Sequence, residues 1–225
     1  KSVDAIATAA EPAVHYQLCE NPLPARRLTS IVIPSTSGTG SETTRTAIVT
    51  RADKAKVWLW GEPIKPDLVI LDPEATVSLP PALTAQTGID ALVHAIEAAT
   101  NRNATPANDL YAHEAIRLAA VNLVRAVEHG SDIAARAAMQ RAAMLAGIAI
   151  DNAGTAIAHN IGHALGSLHP IHHGRAVALG MMATLAWNVA ADNGRFAAAA
   201  RAMGLTSAAD LPKAFEALVR NAGIT

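Results

Sequence analysis

Two pairs of polar residues at helical spacing govern what this chain can become. Asp90-Ala-Leu-Val-His94 and His159-Asn-Ile-Gly-His163 each repeat at i, i+4, which on an α-helix stacks both side chains on one face. The second pair runs on through Ala-Leu-Gly-Ser-Leu-His-Pro-Ile to His172-His173-Gly174, so a further imidazole stands just beyond a turn. One carboxylate with three imidazoles is a complete set of protein ligands for a divalent transition metal. A lone His is more often a surface or satisfied core residue than a ligand, and His15, His113 and His129, with no such neighbours, read as surface residues. Asp90 and His94 differ, because Ile89, Leu92, Val93 and Ile96 flank them and predict a nearly buried face. A buried Asp without a partner carries a heavy desolvation cost, which a cation removes.

Around these pairs the chain changes character near residue 80. Before it, short β-type runs alternate with turn residues. Leu28–Ile33 reads as a buried strand stopped by Pro34; Thr46–Thr50 and Lys56–Trp60 read as two more, joined by a polar turn at Arg51-Ala52-Asp53. Leu68–Leu71, between Pro66-Asp67 and Asp72-Pro73, reads as a fourth. After it the pattern is helical. Thr84 is expected to cap a helix carrying Asp90 and His94, a second helix to run from about Ala107 to His129, and Ser131 to cap a third from Asp132 to about Ile150. The His159/His163 helix, an apolar helix after His173 and a short helix from Asp210 follow. The expected architecture is α/β followed by all-α: an α/β domain over residues 1–80 and an all-helical metal-binding domain over 81–225.

Composition narrows the function classes. Apolar residues make up 51% and aromatic residues 3% of the 225 residues, so the core has to be built from Ala, Leu, Ile and Val on closely packed helices. A formal net charge of -1 without a basic block argues against a nucleic-acid partner. The longest apolar run, Ala176 to Trp187, is shorter than the ~20 residues of a membrane span and reads as a core helix, with no membrane partner expected. A single cysteine, Cys19, permits no internal disulfide, and no secretion signal is seen, so the cytoplasm is the expected compartment. Both ends read as cut: Lys1-Ser2-Val3-Asp4 leads straight into a helical Ala-rich run, and Asn221-Ala222-Gly223 resembles a helix terminus. The expectation is a fragment of a longer protein.

One loop adds chemistry of its own. Pro34-Ser-Thr-Ser-Gly38-Thr39-Gly40-Ser41-Glu42 follows the first strand. Small residues and hydroxyls there let backbone N–H groups approach an anion. It is neither a P-loop nor the Gly-x-Gly-x-x-Gly dinucleotide fingerprint, and alone it reads more readily as an ordinary flexible turn.

In their order and spacing, this loop, Thr87-Gly-Ile-Asp90-Ala-Leu-Val-His94-Ala-Ile-Glu97-Ala98, Ala158-His159-Asn-Ile-Gly-His163-Ala-Leu-Gly166 and His172-His173-Gly174 resemble the iron-containing (group III) alcohol dehydrogenases over almost the whole chain. Pro66–Pro73 and Leu79–Thr84 are similar to the family's run into its helical domain. The resemblance implies a dehydroquinate synthase-like fold, in which a partial Rossmann-like dinucleotide-binding domain and a helical metal-binding domain enclose a metal in their cleft. By motif position it implies Asp90, His94, His159 and His173 as metal ligands, His173 being preferred over His172 because it immediately precedes the Gly. It implies His163 as a catalytic residue near nicotinamide and substrate, and Ser35, Thr36, Gly38, Thr39, Ser41 and Lys56 as cofactor-binding residues. The implied cofactors are Fe2+, with Zn2+ as the alternative ion, and NAD or NADP; the implied partners are a small alcohol or aldehyde and further copies of the chain, as a dimer or larger.

The implied reaction is hydride transfer between an alcohol and NAD(P). Alternatives on the same fold are a maleylacetate-reductase-like enzyme or another reductase of an oxo acid or phosphono-aldehyde; a different class is a helical module with a purely structural metal. The family's first cofactor element, a triple-Gly turn leading to Asp-x-Ala-Lys, is represented only by its tail, with Ala7 where the Lys is expected. The chain is therefore expected to lack the N-terminal nucleotide-binding half and the last helices, and the implied activity belongs to the parent protein.

Overall fold

The computed structural model describes residues 6–7, 9–25, 28–53 and 55–224. Among them, β1 (Ile31–Val32), β2 (Thr46–Thr50), β3 (Lys56–Trp60) and β4 (Leu68–Val69) come first. Seven helices follow among the described residues: α1 (Pro81–Thr100), α2 (Pro106–Glu128), α3 (Ile133–Ala153), α4 (Ile157–Leu168), α5 (His173–Ala190), α6 (Arg195–Ala202) and α7 (Leu211–Asn221). The predicted order, short strands and then helices, is the observed one. The opening Lys1–Asp4 lies outside the described residues.

The strands form two separate pairs. β2 and β3 are antiparallel, with Thr46 opposite Trp60 and Thr50 opposite Lys56. Asp53 fastens their turn by pairing with Arg51 and accepting from the Ala55 amide at 3.1 Å. Along β3, Val57 and Leu59 are buried while Lys56, Trp58 and Trp60 face out, the alternation of a strand covered on one side. Leu59 packs with Tyr16 and Ile64 into a small core. β1 and β4 are parallel, with Ile31 beside Leu68.

The β1/β4 pair corrects the sequence reading. Of Leu28–Ile33 only Ile31–Val32 is strand, of Leu68–Leu71 only Leu68–Val69, and Ile31 and Ile33 are 57% and 55% exposed. A continuous apolar run marks a strand covered on both faces; here the two strands pair only with each other, and the face bearing Ile31, Ile33, Leu68 and Ile70 stays open.

The helical part is built around α1. Ile89, Leu92, Val93 and Ile96 on it are fully buried, and α2, α3 and α5 all pack against it. Small residues allow this density. At Gly162 an added Cβ would stand 3.0 Å from the Val177 backbone nitrogen, and at Gly180 2.5 Å from the Ala158 carbonyl, so α4 and α5 cross nearly backbone to backbone. By length and composition α3 is apolar enough to cross a bilayer; in this fold its Ala-rich face lies in the core.

Two helix starts and one whole helix depart from expectation. α1 starts at Pro81 behind Pro80, and Thr84 sits inside its first turn, bonded to the Leu79 carbonyl and accepting from the buried Arg136. Proline at the first helical position needs no cap acceptor of its own, since its missing N–H would be unpaired there anyway. Asp132, and not Ser131, caps α3 through the Ala135 amide at 3.0 Å, the carboxylate being the better acceptor. α6 has no counterpart in the sequence reading, because its 8 residues are too few to show a helical period.

Candidate metal centre

Three elements deliver the polar cluster. α1 carries Asp90 and His94 on one face, α4 carries His159 and His163, and His173 is the first residue of α5. Ligand atoms of Asp90, His159 and His173 all lie within 4.8 Å of one another. Asp90 Oδ1 stands 3.5 Å from His159 Nε2 and 3.7 Å from His173 Nε2. These separations are long for hydrogen bonds. They match two donors held about 2.1 Å from a common ion at near-tetrahedral angles, which stand about 3.4 Å apart. His94 stacks on His159 with ring centroids 4.3 Å apart, its Nδ1 3.9 Å from Asp90 Oδ2, beside the converging trio and outside it.

The chemistry of the donors fits a cation. Asp90 Oδ1, His94 Nδ1 and His159 Nε2 are buried without a hydrogen-bond partner, and each such atom costs about 1–3 kcal/mol when left so. Asp90, His94 and His159 are 3%, 6% and 2% exposed. Burial works against charge on Asp90, but the imidazoles of His94, His159 and His173 around it hold its carboxyl well below the usual carboxylate range. Burial pushes His94 and His173 down to about 4 against the pull of Asp90, leaving both neutral near pH 7. At His159 burial is outweighed by the two carboxylates that flank it, Asp90 and the hydrogen-bonded Glu97, and the ring is lifted to about 9. Without a cation the cluster therefore holds one proton between two carboxylates, at the Nε2 position a metal would displace.

His163 lies at the edge of this group, 5.0 Å from His173 and 6.3 Å from His159 between ring centroids. It is half-buried, and burial, with the charges of His159 and Lys56, holds its pKa below the ordinary imidazole value. Lys56 comes from exposed β3, yet its Nζ would lie 3.5 Å from a Cβ placed on Gly166 of α4. The hairpin thus brings an ammonium group to the His163 side of the cluster.

The Ser/Thr/Gly loop is seated on the helices. A Cβ on Gly38 would stand 2.8 Å from the Thr87 carbonyl, one turn before Asp90, and Gly40, at φ +58, fits against Ala143 and Gly147 of α3. The Thr43 hydroxyl donates to the Met144 carbonyl at 3.2 Å, and the Gln140 amide donates to the Pro34 and Asp72 carbonyls. The glycines face the helices, while Ser35, Thr39 and Ser41 are exposed and Thr36 is half-buried. Arg45 adds a further tie, donating twice to the buried carboxylate of Asp151, which Lys65 also pairs at 3.0 Å.

Glu97 was not singled out by the sequence reading. It accepts from His159 Nδ1 at 2.6 Å and from the Ala156 and Ala158 amides at 2.8 and 2.7 Å. The signal was present: Asp90, His94 and Glu97 are spaced i, i+4, i+7, one stripe of a helix. Of the histidines read as surface residues, His15 and His129 are exposed, whereas His113 is half-buried against Asp109, Arg195 and Arg201.

Known proteins share both the sequence and the fold. The chain is 41% identical over 196 residues to the NAD-dependent methanol dehydrogenase of Bacillus methanolicus, covering 84% of this chain and 51% of that protein. It is 40% identical over 185 residues to the 1,3-propanediol dehydrogenase of Klebsiella pneumoniae, covering 82% and 47%. Among solved structures, sulfoacetaldehyde reductase from Bifidobacterium kashiwanohense in complex with NAD+ superposes with a TM-score of 0.94 at 30% identity, over 100% of this chain and 60% of that one. The chain spans about half the length of the curated relatives it matches. The iron-containing alcohol dehydrogenase model matches residues 1–73 and the C-terminal model of the Fe-containing alcohol dehydrogenase family matches residues 84–225; the chain belongs to the iron-containing alcohol dehydrogenase family.

Proposed function

We propose that the protein to which this chain belongs is a metal- and nicotinamide-dependent alcohol dehydrogenase, working also as an aldehyde reductase. The observation that carries this reading is the convergence of Asp90, His159 and His173 with their inward atoms unpaired. These three and His94 would hold the ion, Fe2+ or Zn2+, and the exposed Ser/Thr/Gly loop with Lys56 would line NAD or NADP. When bound, the cation supplies Lewis-acid polarisation of the substrate oxygen and the nicotinamide supplies the site that accepts or donates hydride.

The chain's own residues do the rest. Burial of Asp90 and His159 excludes water from the inner side of the site. The more open His173, with a side chain 30% exposed, marks the side from which substrate enters. His163 sits on that side with its pKa below the ordinary imidazole value. It is neutral near pH 7, so it takes up the alcohol proton at a ring nitrogen and passes it to solvent, and it returns the proton in the reductive direction. The dehydrogenase and reductase names of the relatives support both directions. The exposed single cysteine, Cys19, suits the reducing cytoplasm, and exposed Leu110 and Val121 on α2 give apolar surface for a homo-oligomer.

The test is nicotinamide-linked oxidation of short alcohols by the full-length protein, stripped of metal and then reloaded with Fe2+ without oxygen. Activity that returns with the ion supports the reading. Activity indifferent to metal would refute it, and metal uptake without nicotinamide binding would leave a structural metal module instead.

A further inference from the structure

Glu97 occupies a place that the dehydrogenase reading does not require and the geometry makes consequential. It lies on α1 one turn beyond His94 and is 3% exposed. Its Oε2 accepts from His159 Nδ1 at 2.6 Å and from the Ala156 amide at 2.8 Å, and its Oε1 accepts from the Ala158 amide at 2.7 Å. All three of these hydrogen bonds are with the start of α4. That helix has no cap of its own: Ala156 at the N-cap position carries no side chain able to accept. The strand of backbone before it is also tied to the end of α1, with Asn101 donating to the Thr155 carbonyl at 3.2 Å and Asn103 to the Ala153 carbonyl at 3.4 Å.

Resting on the metal reading above, we propose that Glu97 is a positioning residue that sets the tautomer and the aim of His159. A carboxylate can only accept, so His159 Nδ1 must carry the hydrogen, which leaves Nε2, on the Asp90 side, as the nitrogen that gives its lone pair to the ion. The same two oxygens hold the first amides of α4, so the ring and the helix bearing it are fixed by one group. Anions are favoured at that helix end, where the amide dipoles point outward. One face of α1 thus supplies the ligand Asp90 and also orients a second ligand, His159, on another helix. A carboxylate behind a metal-bound imidazole is worth about 10–100-fold in metal affinity in comparable sites.

The test compares the full-length wild type with Glu97→Gln, using Co2+ alone as the probe and its visible absorption to follow binding. The Gln amide keeps the size but loses the charge and one acceptor. Its oxygen can stay toward His159 Nδ1 and the Ala156 amide only by turning its NH2 group onto the Ala158 amide, so the hold on the ring and on the helix start is weakened. The expected result is a Co2+ affinity reduced about 10–100-fold, with the circular dichroism spectrum of the metal-free protein unchanged. In case the variant does not fold, nitrogen NMR of the wild type loaded with Zn2+ gives a second reading: Nδ1 of His159 protonated and Nε2 bound to metal. Equal Co2+ affinity in both proteins, or the reverse nitrogen assignment, would overturn the role of Glu97 while leaving the metal site standing. A wild type that takes up no Co2+ would overturn the metal reading and this proposal with it.

Discussion

The helical region and the strand region solve burial in opposite ways. From α1 onward a single Ala-rich core runs through the helices, with Ile89, Leu92, Ile96, Ile116 and Leu123 fully buried. Before it, Leu59, Tyr16 and Ile64 make a small cluster, while Ile31, Ile33, Ile48, Trp58, Trp60 and Leu68 are each about half exposed. The difference teaches where the order of the site originates. Asp90, His94, His159 and Glu97 are set in the well-packed region, whereas the Ser/Thr/Gly loop and Lys56 come from the open one and gain their placement by leaning on α1, α3 and α4. Metal binding should therefore follow the helical core, and nicotinamide binding should follow the seams between the regions.

Substitutions can break or sharpen that contrast. Asp90→Ala should have the largest effect, loss of metal, read as metal content after dialysis; full retention would remove Asp90 from the ligand set. His163→Ala should lower turnover by about 10²–10⁴-fold, the range for a lost acid–base group, while metal content holds; equal loss of both would contradict the separation of roles. Ile96→Ala, in the fully buried stripe of α1, should cost about 2–5 kcal/mol of stability in urea unfolding. Gly40→Ala, at φ +58 with Ala143 O and Gly147 Cα each 2.5 Å from the added Cβ, should lift the loop from α3. We expect about tenfold weaker nicotinamide binding, roughly 1.4 kcal/mol, with metal content unchanged. Ile31→Ala, on the open face of β1, should change stability by less than about 0.5 kcal/mol. A large loss there would mean that this face is covered in the working protein.

Much of this was legible in the sequence, for physical reasons that differ by element. The β2/β3 hairpin was readable because its alternation and its Asp53 turn are local. α2 was readable to within a residue at each end, as about Ala107 to His129, and α4 from its paired histidines, because helical periodicity and i, i+4 spacing are local too. Burial of Asp90 and His94 followed from their apolar neighbours. What failed depended on the rest of the molecule. Leu28–Ile33 has the composition of a covered strand, but its cover is a tertiary matter. Thr84 looks like a cap until Arg136, 52 residues away, uses its hydroxyl. Glu97 sits in plain view beside the candidate ligands, and its bonds to His159 and the first amides of α4 appear only when α4 closes against α1. His94 and His173 were both expected as ligands, yet only His173 joins Asp90 and His159 at short range.

The most direct test of the account is elemental analysis of the full-length protein purified without oxygen, wild type beside His159→Ala. The account predicts about one equivalent of iron or zinc per chain in the wild type, from one cluster of Asp90, His159 and His173, and almost none in the variant. A folded wild type without metal, or a variant that keeps its full equivalent, would contradict it.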